Sequence, residues 1–156
     1  MPRIVEKWRD LVRPGFYSHV LRQKANVEHC QVNSLERIFM ETEQPDLLRQ
    51  DLSTVALSNG LDLKRVEQES GLASGTLDGW LEIIDWHFTK YGPRAVAVKN
   101  QSAYSRLLDY DRAAPEKAEP LFARYAHGEA LNLDEWKTLQ DFLMPTALER
   151  RSNSDC

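Results

Sequence analysis

Residues 93–109 read P-R-A-V-A-V-K-N-Q-S-A-Y-S-R-L-L-D. An unbroken apolar run, Ala95, Val96, Ala97 and Val98, turns abruptly into Lys99, Asn100, Gln101, Ser102, Tyr104, Ser105 and Arg106. Helical patterns flank it on both sides. A short apolar run so placed is the mark of a strand buried on both faces of a parallel sheet. In α/β folds, polar groups just past the C-terminal end of such a strand are where ligands meet the protein. The switch at Lys99 is therefore the expected functional edge.

The rest of the chain supplies neighbours for that strand. Trp8, Leu11 and Val12 recur with Ile4 and Val5 at helical spacing, and Arg13-Pro14-Gly15 ends that helix. A second helical pattern runs through residues 16–24. Residues 27–34, with Val27, Cys30 and Val32, read as a strand with Asn33 and Ser34 at its C-terminal end. Residues 35–46 contain Pro45 and read as a loop. Residues 47–53 read as another strand. Asp62 caps a short helix that Gly71 ends. The clearest helix is capped by Thr76 and carries Leu77, Trp80, Leu81, Ile84 and Phe88 at i, i+3, i+4, i+7 and i+11. Gly92 and Pro93 stop it. Pro115 suits the first turn of a helix whose buried stripe is Ala118, Leu121, Phe122 and Tyr125. Asn132 and Glu135 form a capping box for the last helix. Pro145 is expected to stop or bend that helix, leaving residues 148–156 frayed.

Three strands separated by helical connections predict a parallel α/β arrangement in a single domain over residues 1–147. Its 156 residues suffice for one core. With 42% hydrophobic and 28% charged residues, the chain is an ordinary globular one. A net charge of −4 speaks against non-specific nucleic-acid binding, which wants a basic face. The basic clusters near Arg9 and Arg150 are mixed with apolar or acidic residues and read as solvated faces. No stretch approaches the roughly 20 apolar residues of a membrane-spanning helix. The N-terminal residues lack the apolar core of a secretory signal. Cys30 and Cys156 make no disulfide framework, so a reducing cytoplasm is the expected setting.

Chemistry-bearing motifs are few. His19, His29, His87 and His127 occur without His-x-His or His-Glu-x-x-His spacing, so no metal site is expected from them. His87 reads as a helix-surface residue and Cys30 as a small buried hydrophobe. No nucleophile elbow and no phosphate-binding loop is present. Asp109 and Asp111 read as solvated carboxylates. Lys99 has two readings. Shielded at the strand end, it can act as a base or electrostatic clamp; otherwise it simply snorkels out of the sheet. Tyr104 and Arg106 can hold an anionic substrate through hydroxyl and guanidinium. Equally, Tyr104 can pack under the next helix with Arg106 in solvent.

The run A-V-A-V-K-N-Q-S-A-Y-S-R-L-L-D-Y resembles a segment of the amidohydrolase superfamily, in its amidohydrolase-related branch of metal-dependent hydrolases. Upstream, I-D-W-H-F-T-K-Y-G-P-R-A-V-A-V-K is similar to the helix and strand leading into that segment. Downstream, A-E-P-L-F-A-R-Y-A-H-G-E-A-L-N-L-D-E-W-K-T-L-Q-D-F-L-M is similar to the helices that follow. L-R-Q-K-A-N-V-E-H-C-Q-V-N-S-L fits an earlier strand, so the resemblance spans residues 17–144.

The resemblance implies a (β/α)₈ TIM barrel with a divalent metal, commonly zinc, at its C-terminal rim. It implies a small organic substrate that is hydrolysed or, in some branches, decarboxylated or isomerised. Lys99 carries over as the catalytic candidate, with Gln101, Tyr104, Arg106 and Asn33 as substrate-binding candidates. The family's His-x-His has no counterpart here, and no metal ligand carries over. The chain is thus expected to be a partial barrel of about three strands with high helix content. It is expected to bind no metal and turn nothing over by itself, and to associate with copies of itself through open barrel edges. The alternative expectation is a non-catalytic α/β interaction module.

Overall fold

The helix with the strongest sequence pattern is the scaffold of the molecule. In a computed structural model, which describes residues 2–152, it spans Leu77–Tyr91 and is numbered α4 below. Thr76 caps it, its hydroxyl accepting from Gly79 N at 3.1 Å. Gly79 is needed for close approach, because a Cβ there would sit 2.5 Å from the Ala73 carbonyl oxygen. Trp80, Ile83, Ile84 and His87 are fully buried and Phe88 nearly so. Gly92 does not terminate α4 in the left-handed conformation. It stays right-handed and leads into a 3₁₀ turn, Gly92–Arg94, so the real stop is Pro93.

Around α4 the elements come in the expected order. They are α1 (Pro2–Leu11), a π-helical turn (Ser18–Lys24), β1 (Cys30–Val32), β2 (Leu48–Ser53), α2 (Val55–Ser58) and α3 (Leu63–Ser70). After α4 come β3 (Ala97–Lys99), α5 (Pro115–Ala126) and α6 (Leu133–Ser152). Asp62 caps α3 through Arg65 N, and Gly71 closes it in the left-handed region with φ 74°. The capping box of α6 is made in both directions, Glu135 N to Asn132 Oδ1 and Asn132 N to Glu135 Oε2, each 2.9 Å.

All three strands are parallel in the order β1-β2-β3, in one open sheet. Cys30 registers with Leu48 and Val32 with Gln50, while Asp51 registers with Ala97 and Ser53 with Lys99. The central strand β2 is the buried one, with residues 50–53 each under 7% exposed. The expectation that the Ala95–Val98 run is buried on both faces fails. β3 lies at the sheet edge and Val96 is 46% exposed, because the run has a strand neighbour on one side only.

Two other expectations are corrected. Pro145 does not stop the helix, and α6 continues to Ser152. Phe142, Leu143 and Ala147 on either side of Pro145 are held in the core, which offsets the missing hydrogen bond. Residues 148–152 are therefore helical, and the rest of the expected frayed tail, with Cys156, lies outside the described residues. His87 is no surface residue. It has no exposure at all, because it falls within the core-facing stripe of α4 with Trp80, Ile83, Ile84 and Tyr91, while Asp78, Glu82 and Thr89 keep the solvent side.

Candidate functional site

Alternation along the strands sorts the sheet into two faces. Leu52 and Val98 belong to one, and both join the helical core with Trp80 and Phe122. Gln31, Arg49, Asp51, Ser53 and Lys99 share the other by register. Apart from Ala97, the register partner of Asp51, that second face is polar, and its centre is buried: Asp51 is 3% and Ser53 6% exposed. Gln31 Nε2 donates to Asp51 Oδ1 at 2.8 Å, which fixes the carboxylate across the β1–β2 pair. The Asp51 and Lys99 Cα atoms are diagonal neighbours, roughly 8 Å apart from strand spacing and rise. An anchored acceptor and a cationic donor therefore stand on one face of adjacent strands.

A cleft of about 320 Å³ opens beyond the C-terminal end of β2. Ser53 forms part of it, with Glu36 and Arg37 from the β1–β2 connection and Asp62 and Arg65 from the start of α3. Asn33 follows β1 directly. Its Oδ1 is buried and has no hydrogen-bond partner among the described residues.

The polar run after β3 divides into anchors and free groups. Asn100 is an anchor. Its Nδ2 lies 3.0 Å from Thr54 Oγ1, 3.1 Å from Ser58 Oγ, 3.2 Å from Met144 Sδ and 3.3 Å from Asn59 Oδ1. Its Oδ1 accepts from Ser102 N at 2.8 Å. Ser102 is buried and takes the Tyr110 hydroxyl on its own Oγ at 2.7 Å. These bonds pin the end of β3 to α2 and α6.

Arg106 is a second anchor. Its side chain is 9% exposed, donates to Asp141 Oδ1 at 2.7 Å and Gln140 Oε1 at 3.1 Å, and lies over the Tyr110 ring. The reading of Arg106 in solvent fails, because its guanidinium is buried against Asp141 and Gln140. Asp141 also takes Lys137 Nζ at 2.6 Å, which raises the Lys137 ammonium above the ordinary lysine value.

Lys99, Gln101 and Tyr104 remain as free groups. The Lys99 side chain is exposed and not shielded, while its backbone carbonyl accepts from Thr54 N at 2.9 Å. Tyr104 is 93% exposed, so it does not pack under the next helix. Gln101 is half-buried beside them. Asp109 and Asp111 are 56% and 92% exposed, as expected, and both sit near Lys137.

Sequence reasoning missed Gln31, Asp51 and Ser53. For Asp51 and Ser53 a partial signal was present in L-R-Q-D-L-S, where polar residues at 49, 51 and 53 recur at every second position, though Gln50 interrupts the apolar partners Leu48 and Leu52.

A separate titratable group lies at the other end of α4. His87 Nδ1 is 2.8 Å from the Ile83 carbonyl, and Nε2 stands 3.8 Å from Glu69 Oε2. Burial holds the imidazole below its ordinary value, partly offset by Ile83 and Glu69. The Tyr91 hydroxyl donates to Glu69 Oε1 at 2.6 Å, and burial together with Glu69 pushes that phenol well up.

The residues do not fit a divalent metal. Among the described residues no group of three or more His, Cys, Asp or Glu side chains converges. The polar sheet face carries Gln31, Arg49, Ser53 and Lys99 around a single carboxylate, Asp51. Among them no helix is long and apolar enough to cross a membrane. No family model matches the chain, and no curated protein matches it.

Proposed function

We propose that this chain is one portion of an amidohydrolase-like (β/α) barrel hydrolase acting on a small organic substrate in the cytoplasm, with the polar sheet face lining the substrate chamber. The observation that carries this reading is the division of the sheet. A parallel sheet with helices packed on one face, mostly polar groups on the other and both outer edges open supports the reading of a segment of barrel wall. Lys99 is the electrostatic clamp or base at the rim. Asn33, Gln101 and Tyr104 hydrogen-bond the substrate, and Asp51 with Gln31 shapes the chamber floor. Arg106 serves as a strut holding the rim loop to α6.

The test is the genomic sequence on either side of the reading frame, translated in all frames. A His-x-His strand upstream and histidine-bearing strand-helix units downstream support the proposal; neither in any frame sinks it. At the bench, the chain alone is expected to be inert in hydrolase assays. Tight stoichiometric zinc on the isolated chain would overturn the partial-barrel reading. The open edges of the sheet also favour a second reading, a non-catalytic module that pairs with another copy along β1 or β3. Sedimentation that stays monomeric over a wide concentration range would remove it.

A further inference from the structure

The N-terminal arm stands apart from everything above. Val5, Trp8, Leu11 and Val12 are 50%, 59%, 62% and 44% exposed, and no described element buries them. Val12 N bonds Trp8 O at 3.0 Å, so the helical turn carries through this last residue. Trp8 touches Phe16 edge-on at 6.0 Å, and Phe16 touches Tyr17, which is 55% exposed. An apolar ridge thus runs from α1 into the following turn with nothing on it.

Charge says what kind of surface it suits. Residues 1–24 hold six Lys or Arg and two acids, a balance of +4. The remaining residues hold 14 basic and 22 acidic side chains, a balance of −8. At 3.6 residues per turn, Val5, Trp8, Leu11 and Val12 fall on one side of the helix. Lys7 and Arg9 lie on its two flanks, and Glu6 and Asp10 point directly away. Two such helices face to face would bring Lys7 and Arg9 against their own copies, so self-pairing is opposed. A plane that is negative on both sides of the helix meets both flanking cations at once while taking up the apolar ridge.

We propose that α1 lies in the surface of an anionic lipid bilayer, its Trp8–Leu11 stripe inserted at the headgroup boundary and Lys7 and Arg9 on the lipid charges. This is attachment to a surface and requires no spanning helix. It is independent of the barrel reading.

The test is co-sedimentation of the full chain with vesicles of phosphatidylcholine alone and of an equal mixture with phosphatidylserine. Binding is expected to the mixture only, and to weaken with salt. Lys7→Glu with Arg9→Glu should cut it by more than about tenfold, since each cation near such a surface contributes on the order of a kilocalorie. Trp8→Glu should abolish it, and Glu6→Gln with Asp10→Asn should preserve it. Each variant should unfold at the wild-type urea midpoint, because these side chains touch no core. Four results overturn the proposal: no binding to the mixed vesicles, equal binding to neutral ones, binding indifferent to the Lys7 and Arg9 reversal, or an oligomer that Trp8→Glu dissolves, which would give the ridge to a second copy.

Discussion

Replacing Asn100 by alanine isolates what holds the rim in place. The Asn100 amide has two N–H groups for the oxygens of Thr54, Ser58 and Asn59 and the Met144 sulfur around it, and its oxygen takes Ser102 N. Three hydrogen bonds are therefore lost, at about 1 kcal/mol each. Ser102 is only 3% exposed, so its N–H is left without water, adding a penalty of about 1 kcal/mol or more. The Thr54 and Ser58 hydroxyls can rotate to other acceptors, which returns part of it. A net loss of about 3 kcal/mol follows. With a urea slope of roughly 1.5–2 kcal/mol per molar, the midpoint should fall by about 1.5–2 M. Circular dichroism against urea measures this. A double-mutant cycle with Thr54→Val should give a coupling of about 1 kcal/mol, as expected for groups in one network. A loss under about 1 kcal/mol, or strict additivity with Thr54→Val, would refute the assignment of Asn100 as the anchor.

Other perturbations separate structure from function. Burial lowers the His87 value in the fold below its ordinary 6.5, so the unfolded chain binds the proton more readily. Its contribution to stability is complete above pH 6.5 and erodes as the pH falls below that; urea midpoints of wild type should drop more steeply with acid than those of His87→Leu. Pro145→Ala should stabilise the protein by about 1–3 kcal/mol by restoring a bond within α6, seen as a higher melting temperature. A lower one would mean that the proline ring packs irreplaceably. Lys99→Ala should leave the unfolding free energy, read from urea titration, within about 0.5 kcal/mol of wild type, since exposed substitutions change little. A large loss would make Lys99 a structural residue and remove it from the rim site.

Much of the secondary structure was legible in local signals. Thr76, Asp62 and the Asn132–Glu135 pair cap the helices they are expected to cap, because a cap depends on residues within one turn. β3 follows the apolar Ala95–Val98 run, and the helices between β2 and β3 suit their parallel pairing, whereas β1 and β2 pair in parallel across a connection with no helix in it. Pro145 and His87 misled for a common reason. Each obeys a local rule, a helix breaker and a polar side chain, that long-range packing of α6 and α4 outweighs.

The polar run 99–106 shows the division most plainly. Sequence alone determined that an apolar strand ends at Lys99 in a cluster of hydrogen-bonding groups, because alternation and polarity are written residue by residue. Tertiary structure decided which of those groups are free. Asn100 and Arg106 are spent on Thr54, Ser58, Gln140 and Asp141, partners 34 to 46 residues away that no local pattern could pair with them. The same holds for Asp51. Only the parallel register of β1 and β2 sets Gln31 beside it and turns an ordinary aspartate into an anchored carboxylate on the polar face of the sheet.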